Sequence, residues 1–187
     1  MITIVSGLPR SGTSLMMQML AAGGMPVLTD GQRTADADNP RGYYEWERIK
    51  QLPQDPTCIA EAEGRAVKVI SQLLFALPRA YNYEVVFMER ALLEVVASQA
   101  EMIRRRGTSG AELSEAALIA GLQAHLNLVN AWLQNNPHIR LCRVAYHQIL
   151  RDPRGTSEVV RNFLQRGLDV ERMAKQVDQA LYRHRTG

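Results

Sequence analysis

Residues 6–14, Ser6-Gly7-Leu8-Pro9-Arg10-Ser11-Gly12-Thr13-Ser14, carry the types and spacing most suited to chemistry. Glycines five apart let the backbone fold its N–H groups round an anion, and Thr13 and Ser14 add hydroxyl donors. The spacing of Gly7 and Gly12 is that of the nucleotide-binding pattern G-x-x-x-x-G-K-[ST], with Thr13 in the place of the lysine. The cation stands three residues earlier, at Arg10. In that pattern the lysine neutralises charge during phosphoryl transfer, so its absence weakens an ATP-hydrolysing reading.

Such a loop must be delivered by a strand and continued by a helix, whose N-terminus adds unpaired donors and a partial positive charge. Ile2-Thr3-Ile4-Val5 reads as that strand, and Thr13 to Ala22 as that helix, stopped at Gly23-Gly24. Met25–Leu28 is a short second strand. A polar stretch from Thr29 to Gly42 follows, long enough to expect a functional loop. Tyr43 to Leu52 has helical spacing and ends at Pro53. Further strands are expected at Ala66–Ile70, Glu84–Met88 and Ile139–Val144. Helices are expected at Gln72–Leu77, Leu92–Arg105, Ser114–Gln134, Thr156–Gln165 and Val170–Leu181, with Gly107 ending the second of these.

Alternating strands and helices predict βαβ units and a parallel sheet of four or five strands, with helices on both faces, in one domain spanning 1–187. Ligands of such sheets bind beyond the carboxyl ends of the strands. Three candidate positions fall there: the loop at 6–14, Lys68 late in its strand, and Arg90 just after its strand. A lysine in an apolar strand is costly unless its ammonium reaches an anion or snorkels to water, and both explain Lys68. Taken alone, Arg90 fits a strand-end ion pair as well as a ligand contact.

At 187 residues, 46% apolar and 22% charged, the composition is that of a soluble globular protein. The net charge of +3 is mild and suits small anionic ligands. Arg104-Arg105-Arg106 reads as a solvated helix end rather than a nucleic-acid patch. Cys58 and Cys142 lack metal-ligand spacing, so neither a zinc site nor a disulfide framework is expected. No targeting segment and no unbroken run of ~20 apolar residues is present, which predicts a cytoplasmic protein.

Leu8-Pro9-Arg10-Ser11-Gly12-Thr13-Ser14 resembles the 5′-phosphosulfate loop of sulfotransferases, Pro-Lys/Arg-Ser/Ala-Gly-Thr-Ser/Thr. Arg90 and Ser98, eight apart behind a strand, resemble the pair that holds the 3′-phosphate of 3′-phosphoadenosine 5′-phosphosulfate (PAPS) there. Asn39–Glu45 and Asp178–Arg185 are similar to segments of small bacterial members. The resemblance implies a P-loop-like three-layer αβα fold and transfer of a sulfuryl group from PAPS to a hydroxyl or amine of a small-molecule acceptor, without a metal. The donor would be bound by Pro9, Arg10, Ser11, Gly12, Thr13, Ser14, Arg90 and Ser98. Arg10 would meet the bridging and sulfuryl oxygens, where charge builds.

The acceptor must lose a proton, so a base is needed opposite the sulfur. None of the four histidines lies near the acceptor-side segment. Tyrosylprotein and heparan members resemble this chain in having a carboxylate there, which makes Glu45 the first candidate, with Glu47 and Asp38 behind it. A glutamate in the first turn of a helix is also what the macrodipole favours. Lys68 resembles a lysine that stabilises the sulfuryl group, and Tyr43, Tyr44 and Trp46 are candidates for an acceptor wall or for the core.

The sequence departs from the family at Tyr146-His147-Gln148-Ile149, which stands for the common Tyr-Glu-Asp-Leu. It also lacks the Gly-rich C-terminal segment, where Arg183 and Arg185 are candidate substitutes. Two alternatives remain: a kinase-like phosphotransferase using ATP, and a non-catalytic nucleotide-binding module.

Overall fold

The computed structural model describes residues 1–36, 39, 41–106 and 114–178. At its centre lies β1 (Ile2–Gly7), buried along its whole length. With a period of two, Ile2 and Ile4 face one core and Val5 the other. Beside β1 stand β2 (Val27–Leu28), β3 (Ala66–Lys68), β4 (Tyr83–Glu89) and β5 (Ile139–Ala145) in the order β2-β3-β1-β4-β5. Every pairing is parallel.

Both faces are covered, as a parallel sheet requires. On one, α3 (Glu115–Gln134) packs Val129 and Leu133 against Tyr83, Val85 and Phe87 of β4. On the other, α1 (Thr13–Ala22), α5 (Pro153–Leu164) and α6 (Val170–Ala174) pack Met16, Met19, Val160 and Met173 against Val5, Val86 and Val144. The chain leaves β1 toward the β2 edge and leaves β4 toward the β5 edge. A crevice therefore opens beyond the ends of these two neighbouring strands, the switch point where such sheets take ligands.

All five expected strands are present and the limits of α1 agree, though β2 begins two residues later than expected and β3 ends two residues earlier, at Lys68. Ser114 caps α3 by accepting from the N–H of Ala117. The segment Tyr43–Leu52 differs. Tyr44 takes a left-handed φ of 53°, which no helix tolerates, so only a 3-10 turn over Glu47–Gln51 forms. The short helix expected at Gln72–Leu77 is likewise a 3-10 turn, Ser71–Ala76. Another 3-10 turn (Pro56–Ala62) and the helix α4 (Tyr146–Arg151) add elements not expected. Asp152 caps α5 with Pro153 at its first position, so this helix starts three residues earlier than expected. Between β4 and α3 runs α2 (Leu92–Arg106), whose expected stop at Gly107 lies outside the described residues. The last helix, expected over Val170–Leu181, already ends at Ala174: residues 175–178 form a turn and irregular chain, and 179–181 lie outside the described residues.

With 20 residues and a mean hydropathy of 1.2, α3 is long and apolar enough by length and composition to cross a membrane. Of its residues, Val129 and Leu133 are buried in the core that also holds Tyr83, Val85 and Phe87 of β4, and 11% of the apolar window is buried in all. Both cysteines are buried with free thiols.

Candidate active site

A cavity of about 310 Å³ opens beyond the carboxyl ends of β1, β3 and β4. Pro9, Arg10, Gly12, Thr13, Ser14, Glu45, Lys68, Arg90 and Ser98, all singled out from the sequence, lie on its wall. Ser11 does not. Its hydroxyl is buried beneath the loop against Gly7, without a hydrogen-bond partner among the described residues, and it lines a neighbouring cavity of about 120 Å³.

The loop is shaped by close approaches. A Cβ on Gly7 would stand 2.7 Å from the carbonyl oxygen of Met88 on the adjoining strand. Gly12 has a φ of 99°, and a Cβ there would meet the Tyr146 ring at 2.5 Å. The N-terminus of α1 begins at this residue with no side-chain cap and no acidic residue in its first turn, an arrangement open to an anion.

Arg10 is the joint of the site. Its backbone is left-handed, with a φ of 71°, an uncommon state for a non-glycine residue. Its Nε donates to Ser98 Oγ at 2.9 Å, and its carbonyl accepts from Arg90 Nη1 at 2.9 Å. Arg90 Nε in turn donates to Glu94 at 2.8 Å, an ion pair whose side chains are only 9% and 8% exposed. The Arg90 guanidinium lies 4.7 Å from the centre of the Tyr146 ring. Arg90 is thus both a strand-end ion pair and a wall of the cavity.

The opposite wall is built round Lys68. Its Nζ donates to Ser14 Oγ and to the carbonyl of Tyr43, each at 3.1 Å, and to Glu45 Oε1 at 3.2 Å. Arg33 donates to the same Glu45 oxygen at 2.8 Å and stacks 3.4 Å from the centre of the Tyr43 ring. The Tyr43 hydroxyl donates to Asp36 at 2.7 Å.

Burial pushes the Glu45 carboxyl up, yet Lys68 and Arg33 outweigh it and hold the group below its ordinary value. Burial lowers the Lys68 ammonium, with Glu45 pulling against it. Burial, then the Asp36 carboxylate, raise the Tyr43 phenol. Of the other candidates, Glu47 pairs with Lys50, and Trp46 joins the core. Tyr44 packs on the opposite core. Asp38, Arg183 and Arg185 lie outside the described residues.

The sequence reasoning missed Arg33, Tyr146 and Arg105. Arg33 sits in a stretch without periodicity. Tyr146 directly follows β5, so the strand-end rule that found Arg90 applies to it equally. Arg105 was assigned to solvent with its neighbours, but lines the cavity. Among the described residues, six cations (Arg10, Arg33, Arg41, Lys68, Arg90, Arg105) stand on the wall against three carboxylates. This surplus and the uncapped helix end fit a ligand bearing more than one anionic group.

No family model matches the chain, and no curated protein matches it. Among solved structures it is similar to the sulfotransferase domain from the curacin biosynthetic pathway, with a TM-score of 0.54 and 16% identity, over 95% of this chain and 78% of that one. The likeness is one of fold: the chain has the α/β sulfotransferase fold, with its five-stranded parallel sheet between helices.

Proposed function

We propose that the protein transfers a sulfuryl group from 3′-phosphoadenosine 5′-phosphosulfate to a hydroxyl or amine of a small-molecule acceptor. The observation that carries this reading is Arg10, whose side chain and carbonyl join the phosphate-type loop to Ser98 and Arg90 in one cavity. Two anion-binding regions so joined suit a donor with a 5′ and a separate 3′ anionic group better than a triphosphate. The fold supports the same class of chemistry.

In this mechanism the N-terminus of α1, Thr13 and Ser14 hold the 5′-phosphate, and Ser98 with Arg90 hold the 3′-phosphate. Arg10 and Lys68 face the oxygens on which charge grows as the bond from sulfur to the bridging oxygen breaks. Glu45 takes the proton from the acceptor O–H or N–H while the new bond to sulfur forms. The donor leaves as adenosine 3′,5′-bisphosphate.

The direct test is calorimetry of adenosine 3′,5′-bisphosphate against ATP with Mg²⁺. Tighter binding of the bisphosphate is expected. Preference for ATP overturns the proposal in favour of a phosphotransferase, and bisphosphate binding without turnover of any hydroxyl or amine acceptor favours a non-catalytic module.

A further inference from the structure

One face of α2 continues the cavity wall past Ser98. Ser98, Glu101, Met102 and Arg105, at i, i+3, i+4 and i+7, all line it. Helical side chains lean toward the N-terminus, so Arg105 reaches back toward Ser98. The structure fixes how far: Arg105 Nε donates to Glu101 Oε1 at 2.8 Å. The guanidinium therefore lies near the level of residue 101, roughly 5 Å along the axis from Ser98 at 1.5 Å per residue.

Arg104 also bonds Glu101, at 2.8 Å, but its side chain is 75% exposed against 32% for Arg105, and it does not line the cavity. Glu101, held at about 2 by its bond to Arg104 and the charges of both arginines, stays a carboxylate through the neutral range. It serves as a fixed rest for Arg105.

Resting on the sulfuryl-transfer reading above, we infer that Arg105 is a further binding residue for the donor's 3′-phosphate, completing a clamp with Ser98 and Arg90. The clamp is built from the strand end and α2. Its chemistry is that of a phosphate monoester dianion held by two guanidinium groups and one hydroxyl. Glu101 is a positioning residue that sets the approach of Arg105.

The test compares adenosine 3′,5′-bisphosphate with adenosine 5′-monophosphate, ligands that differ only in the 3′-phosphate, by calorimetry on the full chain. The wild type is expected to prefer the bisphosphate. Arg105→Ala is expected to shrink that preference about tenfold while leaving monophosphate affinity unchanged, with Arg105→Lys recovering part of it. Arg104→Ala is expected to leave the preference intact. If the wild type shows no preference, the sulfuryl-transfer reading itself fails. Should the wild type discriminate and Arg105→Ala do so equally well, only the Arg105 inference is overturned. An Arg104→Ala loss as large as that of Arg105→Ala overturns it too, because the effect is then general electrostatics.

Discussion

Glu45 lies between two cations, Lys68 and Arg33, that both bond the same oxygen, Oε1. Their attraction outweighs burial and lowers its pKa, so the carboxylate persists to lower pH than an isolated glutamate. A base must be deprotonated to work, so activity is expected to fall only as pH drops through this depressed value, below the ordinary ~4.3. Removing one cation raises the carboxyl's pKa, and Arg33→Ala should move the acid limb of kcat/KM to higher pH; an unmoved limb separates Glu45 from the pH dependence. Glu45→Gln should lower turnover about 10²-fold or more with bisphosphate affinity nearly intact, read by steady-state kinetics beside calorimetry. Unchanged turnover removes Glu45 from the mechanism. Glu45 could be named from the sequence through the family resemblance, and Lys68 both through it and as a lysine in an apolar strand. Arg33 could not. It stands twelve positions before its partner with no sequence pattern linking the two, and only the fold brings them together.

Among the elements, those that build the site were the legible ones. The buried run of β1, the glycine stop of α1 and the Ser114 cap of α3 are local signals that agree with the packing. Tyr43–Leu52 misled because its apolar residues keep helical spacing while the backbone reverses at Tyr44. The Glu45 carbonyl accepts from the Thr29 hydroxyl at 2.9 Å, and Asp30 accepts from the N–H of Glu47 at 2.6 Å. These are tertiary bonds that no spacing rule reveals. The loop after β1 depends on Gly12 in two ways, through its left-handed φ and through its contact with Tyr146. Gly12→Ala adds backbone strain on the order of 1 kcal/mol and forces the ring away. The expected outcome is a lower melting temperature and at least tenfold weaker bisphosphate binding, measured by thermal denaturation and calorimetry. A variant that binds as wild type shows that the Tyr146 contact does not shape the site.

For the molecule as a whole, the cavity draws its walls from the ends of three strands and from α2, so a ligand there ties together elements from both halves of the sheet. Adenosine 3′,5′-bisphosphate at 100 times its Kd should contribute about 2.7 kcal/mol to stability, and so raise Tm by roughly 5–10 °C for a chain of this size. A thermal shift no larger than that given by adenosine 5′-monophosphate at the same concentration denies the second phosphate any part in the binding.

Arg10 has one more consequence. Because its side chain is fixed to Ser98 and its carbonyl to Arg90, the loop and the end of β4 cannot drift apart independently. On the proposed reading, the site measures the distance between two phosphates as well as their charge. An isomer with its second phosphate on the 2′ oxygen has equal charge and the wrong length, and a gauge of this kind rejects it.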